Sequence, residues 1–266
     1  MSSFIDGLVS LNPLWLVMLI IGLCTFLGHQ LTKRVADDDV RADLSDSANK
    51  LLGATATGLF VLIGFTISIL WSVLSDELSH IDAEVETVGS IAAYAYVLED
   101  DAKSRIDDEL INYLQIASTA DSAALKEGDV DSLPSTAALV NLLAEVNSPE
   151  NYTSENGWVK EQLVEAVVAV SAERASIRSI ALREMPYSLR VVLFVAAGVV
   201  AVFAGSSMAA HRKPYLVIGW VLSASLALTL ALWLDNPFDG PISADLSGLE
   251  RLAEHIQQPI DVPPPQ

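Results

Sequence analysis

The stretch LLGATATGLFVLIGFTISILWSVL, residues 51–74, decides the fold. Its 24 residues include no Asp, Glu, Lys or Arg. A helix needs about 20 apolar residues to cross the hydrocarbon core, so this one spans it with length to spare for tilt. The chain beyond it does not stop the helix. Leu74, Leu78, Ile81, Val85, Val88, Ala92 and Ala95 recur at alternating steps of four and three. That spacing is a heptad-like seam which starts inside the span and continues past it. It predicts one long helix leaving the membrane and ending near Leu98.

Three more stretches lack acidic and basic residues: 14–31, 191–210 and 215–234, of 18, 20 and 20 residues. Each is long and apolar enough for a further transmembrane helix. The first is not a cleaved signal: Asp6 precedes it, no Lys or Arg does, and no small-x-small site follows. Cys24, the one cysteine, reads as an inert helical residue and excludes a disulfide scaffold.

Composition agrees with a membrane protein. Hydrophobic residues make up 52% and charged residues 18%, and mean hydropathy is +0.42. A disordered chain would be less apolar. Acidic residues outnumber basic ones 34 to 15, for a net charge of −19, which is the wrong sign for nucleic-acid binding. Most of the imbalance lies in residues 75–188, which hold 22 acidic and 7 basic residues. After the long helix, this segment is expected to form three more helices. One carries Ile106, Leu110, Leu114 and Ala117; a short one covers 135–146; a last one from Trp158 to Arg183 carries Leu163, Val167, Val170, Ile177 and Ile180. Residues 120–133 and 148–157 read as loops. No convincing strand alternation is present.

The fold class is therefore an all-α integral membrane protein with four transmembrane helices and a long helical acidic segment between spans two and three. The expected divisions are 1–74 (spans one and two with a short charged loop), 75–188 (acidic bundle), 189–236 (spans three and four) and 237–266 (turn, short helix and Pro-rich tail). In the last part, Ser247-x-x-Glu250 reads as a capping box. Pro263–Pro265 reads as an extended tail.

The short loops carry Lys33, Arg34, Arg41, Lys50, Arg212 and Lys213. The positive-inside rule places them in the cytoplasm and the acidic segment outside.

Span two has one unusual face. Gly53, Thr57, Gly64, Ser68, Ser72, Ser75 and Ser79 fall within about 100° of one another on a helix. Hydroxyls on such a stripe can replace water around an ion, which makes it a candidate pore wall. Phe60 and Phe65, beside it, could form a constriction. The same small residues also serve close helix packing, and the sequence leaves both uses open. In span three, Ala197, Ala201, Gly205 and Ala209 stand at strict steps of four. This small-residue ladder is expected to let a neighbouring helix approach closely.

No acidic or basic residue lies inside a span, where an ion-coupled pump usually keeps one. That favours passive conduction or no transport. Asp37, Asp38, Asp39, Asp43 and Asp46 lack EF-hand spacing and read as a solvated loop, with Asp46-Ser47 capping the second span. The four histidines, His29, His80, His211 and His255, lack metal-ligand spacing. Neither a metal nor a cofactor is expected. No nucleophile elbow, zincin motif or phosphate loop is present, so no catalytic residue is assigned and an enzyme is not expected.

The order of these pieces resembles the bestrophin-like membrane protein family of unknown function, four-span and of bacterial type. The resemblance rests on GLFVLIGFTIS (58–68), on 84–98 and, most specifically, on the exit motif LDNPFDGPI (234–242). It covers the chain from Leu14 to about Ile256. Because bestrophins are pentameric anion channels, the resemblance implies a channel and a pentamer. It also implies a cytoplasmic acidic segment, against the charge count. The sequence is thus read as an oligomeric, multi-pass cell-membrane channel passing small anions passively, with the lipid bilayer, further copies of itself and small ions as partners. The rival reading is a non-conducting sensor or an accessory subunit of a larger membrane complex.

Overall fold

The computed structural model describes residues 13–35, 37–131, 133–183, 185–209, 214–238 and 241–258. Every regular element among them is helical: α1 (Pro13–Lys33), α2 (Asp38–Ala95), α3 (Asp100–Glu127), α4 (Ser135–Asn147), a 3₁₀ turn (Pro149–Asn151), α5 (Trp158–Ala181), α6 (Tyr187–Ser207), α7 (Pro214–Asp235) and α8 (Ser247–Gln257). Four of them, α1, α2, α6 and α7, are long and apolar enough to cross a membrane. The expected tail at Pro263–Pro265 lies outside the described residues.

The chain divides into two compact units, Met1–Ser72 with Met185–Asp235, and Val73–Glu184 with Asn236–Gln266. Helix α2, 58 residues long, contributes to both.

In the first unit α1 packs chiefly on α6 and also on α7. Glycine permits the α1–α6 approach. A Cβ on Gly205 would strike the Thr25 carbonyl, and one on Gly28 would strike the Val202 carbonyl. Between hydrocarbon-embedded helices, such backbone proximity supplies the dispersion contact that the hydrophobic effect cannot. The Ser45 hydroxyl adds a bond from α2 to the Ser207 carbonyl (2.9 Å).

In the second unit α3 packs on α4 and α8, and α4 on α5. Helix α3 ends in a Schellman motif. Gly128, at φ 75°, donates its N–H to the Leu125 carbonyl, and Asp129 donates to that of Ala124.

Four local expectations are corrected. Residues 120–127 are helical, not loop: Asp121 is fully buried and accepts bonds from Ser135 N (3.0 Å) and from its hydroxyl, tying α3 to the start of α4. Helix α2 begins at Asp38, so most of the supposed acidic loop is helix. Asp46 therefore stands inside the helix, not at its start, and pairs with Lys50 one turn on (2.7 Å). At α8 the capping box does not form. Instead Asp245 accepts from both the N–H (2.9 Å) and the hydroxyl (2.6 Å) of Ser247, which holds its carboxyl below the ordinary value.

The seam of α2 is also shifted. Leu74, Ile81, Val88 and Ala95 are buried as expected, but Leu78 is 42% exposed. The intervening buried positions are Glu77, Glu84 and Ile91. The heptad period was readable; the glutamates in it were not.

Candidate functional site

The face of α2 opposite its buried seam carries the stripe. Leu59, Ile63, Thr66, Leu70 and Leu74 are buried on one side. At 100° per residue their centre lies roughly opposite that of the stripe. Gly53, Thr57, Gly64, Ser68, Ser72, Ser75 and Ser79 are all exposed. A Cβ on Gly53, Gly58 or Gly64 would meet nothing within 4 Å. Phe60 is 36% exposed and Phe65 66%, and the helical period sets them just off the stripe's two edges. The Thr57 hydroxyl bonds back to the Gly53 carbonyl (2.8 Å). No described group hydrogen-bonds the hydroxyls of Ser68, Ser72, Ser75 or Ser79, which remain available to donate. The small-residue ladder lies elsewhere: Ala197, Ala201 and Gly205 are buried and Ala209 is half-buried.

The second unit holds a buried charge cluster. Arg174 of α5, 5% exposed, donates from Nε to Glu84 Oε1 of α2 (3.0 Å) and to the Tyr113 hydroxyl of α3 (3.0 Å). Its Nη2 lies 2.8 Å from Glu84 Oε1, and its Nη1 3.4 Å from Asp121 Oδ2. The Tyr113 hydroxyl donates to the same Glu84 oxygen (2.5 Å). Helices α2, α3 and α5 thus meet at one guanidinium. Burial pushes the Glu84 carboxyl up, and the Arg174 charge and Tyr113 bond partly oppose it. Burial likewise lifts the Tyr113 phenol well above its ordinary value. On the neighbouring turn His80 Nδ1 lies 2.7 Å from Glu173 Oε2.

Sequence reading missed this cluster because it sought apolar periodicity. The signal was a gap: Val170 and Ile177 leave the next seam position of α5 to Arg174, and α2 has Glu84 at the matching step.

Among the described residues no group of three His, Cys, Asp or Glu could hold a metal. Asp38 is paired with Arg41, and the Asp37 carboxylate accepts the Asp39 N–H (3.0 Å).

An all-helical chain with four membrane-crossing helices, one of them carrying the polypeptide on into a polar bundle, defines a multi-pass membrane protein. The chain belongs to the bestrophin-like family, whose domain matches residues 19–249. Among solved structures, a bacterial bestrophin homologue from Klebsiella pneumoniae is 14% identical, with 93% of this chain and 98% of that one covered, at TM-score 0.68. A singly substituted form of that homologue gives 12% identity, 92% and 98% coverage and TM-score 0.68. A membrane protein bearing a proline-to-alanine substitution gives 11%, 92% and 96%, and 0.69. At such identities the likeness establishes the fold. No curated protein matches the chain.

Proposed function

We propose that the protein is an oligomeric channel passing small anions passively, with the α2 stripe lining the path. The carrying observation is that the whole stripe, Gly53 to Ser79, is exposed in the subunit while the opposite face of the same helix is buried. Ser68 and Ser72 set unengaged hydroxyls inside the apolar stretch, and symmetric copies around an axis would supply them with enclosed water. Phe60 and Phe65 narrow that path. Four serine hydroxyls can each turn a proton toward an anion. A pentamer is the assembly the family resemblance suggests.

Charge sign is set at the mouths. The net −15 of residues 75–188 would concentrate cations if it lined the path. Acids facing outward, beyond a Debye length of about 10 Å from the axis, would not. Lys33 and Arg34, directly after α1, favour short loops in the cytoplasm. The test is recording in planar bilayers under a salt gradient. Reversal at the chloride potential supports the anion path, reversal at the cation potential replaces it with a cation path, and absence of current from assembled protein removes the channel reading.

A further inference from the structure

Glu77 is the buried residue least suited to its surroundings. It lies beyond the apolar stretch that ends at Leu74. Its side chain is fully buried, and neither carboxylate oxygen has a hydrogen-bond partner among the described residues. It occupies the same face of α2 as Glu84, one heptad earlier.

The charges around it do not balance. From α2 come Glu77, Glu84 and, toward the surface, His80. Helix α3 contributes Tyr113 and Asp121; α5 contributes Arg174 and Glu173, the latter held by His80. The buried core of this set is three carboxylates and one guanidinium. All ionised, it would carry a net −2. A buried charge without a partner costs several kcal/mol, so such groups neutralise instead. Glu84 already receives Arg174 and Tyr113 on one oxygen, and Asp121 receives the Ser135 N–H and hydroxyl, with Arg174 Nη1 3.4 Å away. Each of these two carboxylates has donors. Glu77 receives no donor. On α5, the turn after Arg174 toward the C-terminus offers Ile177 and Ile180, both buried and apolar.

We infer that Glu77 is a buried proton-binding site, and that losing its proton loosens the packing of α2 within the bundle. Burial, opposed by Arg174 and reinforced by Glu84, pushes the Glu77 carboxyl up to about 8. Because the folded value lies above the ordinary 4.5 of the unfolded chain, the stabilisation is complete below about pH 4.5 and is lost as pH rises toward about 8. The site is independent of whether the protein conducts.

The full-length protein in nanodiscs tests this by infrared difference spectroscopy between about pH 6 and pH 9. The expected result is loss of a protonated-carboxyl C=O band with a midpoint near pH 8, absent in Glu77→Gln and retained in His80→Gln. In parallel, the wild-type melting temperature falls across that range and that of Glu77→Gln, which mimics the protonated side chain, stays level. A wild-type spectrum without a titrating carboxyl band overturns the inference, even if Glu77→Gln does not fold. So does a Glu77→Gln protein that keeps the band or melts with the wild-type pH profile.

Discussion

Asp235, the last residue of α7, accepts the Met185 N–H (2.6 Å) and pairs with Arg190 of α6 (2.6 Å). One carboxylate thereby ties the exit of the fourth span to the entry of the third. Pro186 follows Met185 and fixes the turn into α6. This gives the aspartate of the exit motif LDNPF a structural reason.

Asp235→Ala should lower stability in detergent by about 1–3 kcal/mol, since a buried N–H and a partly buried guanidinium lose their acceptor. Asp235→Asn keeps an acceptor for Met185 and should lose less. Thermal unfolding of the two variants checks the ranking; equal losses would assign the whole effect to the ion pair.

Gly205→Val should disrupt the α1–α6 pair, because its Cβ would strike the Thr25 backbone, which cannot rotate away. Gly64→Ala, with open space in the subunit, should fold normally and gain up to about 1 kcal/mol of helix propensity. Size-exclusion profiles and melting curves of both separate the two environments.

Arg174→Met leaves Glu84 and Asp121 buried without their cation, and should cost about 3–5 kcal/mol. Adding Glu84→Leu should restore part of the loss, because one of the two uncompensated carboxylates leaves with it. A double variant no more stable than Arg174→Met would show that Glu84 is not the residue stranded.

How much of this was legible follows from what periodicity records. Leu74, Ile81, Val88 and Ala95 announced the seam because apolar residues at heptad spacing have one physical use. Glu77 and Glu84 share that seam but carry no apolar signal, so the adjacent Leu78 and Val85 stand in their places in the spacing. Acids, Gly128 and Pro134 standing together point to a loop at Asp121; its burial depends on Ser135, a partner in the next helix. The stripe from Gly53 to Ser79 was legible as a face, since the helical period fixes it. Its occupant was not, because small and hydroxylic residues suit water and a packed helix alike.

Orientation is checked with Asp129→Cys in a Cys24→Ser background, at an exposed position after α3. If the basic short loops are cytoplasmic, an impermeant thiol reagent labels it on intact cells. Labelling only after lysis places the acidic segment inside.

The most direct measurement is single-channel current from purified protein carrying Ser68→Trp or Ser72→Trp. Both side chains are exposed in the subunit, so the bulk should leave its folding unchanged, and size-exclusion profiles check that each variant still assembles. The channel account predicts that wild-type protein conducts and that tryptophan at either position abolishes or sharply reduces the current. Normal conduction by both variants would contradict it and return the α2 stripe to helix packing.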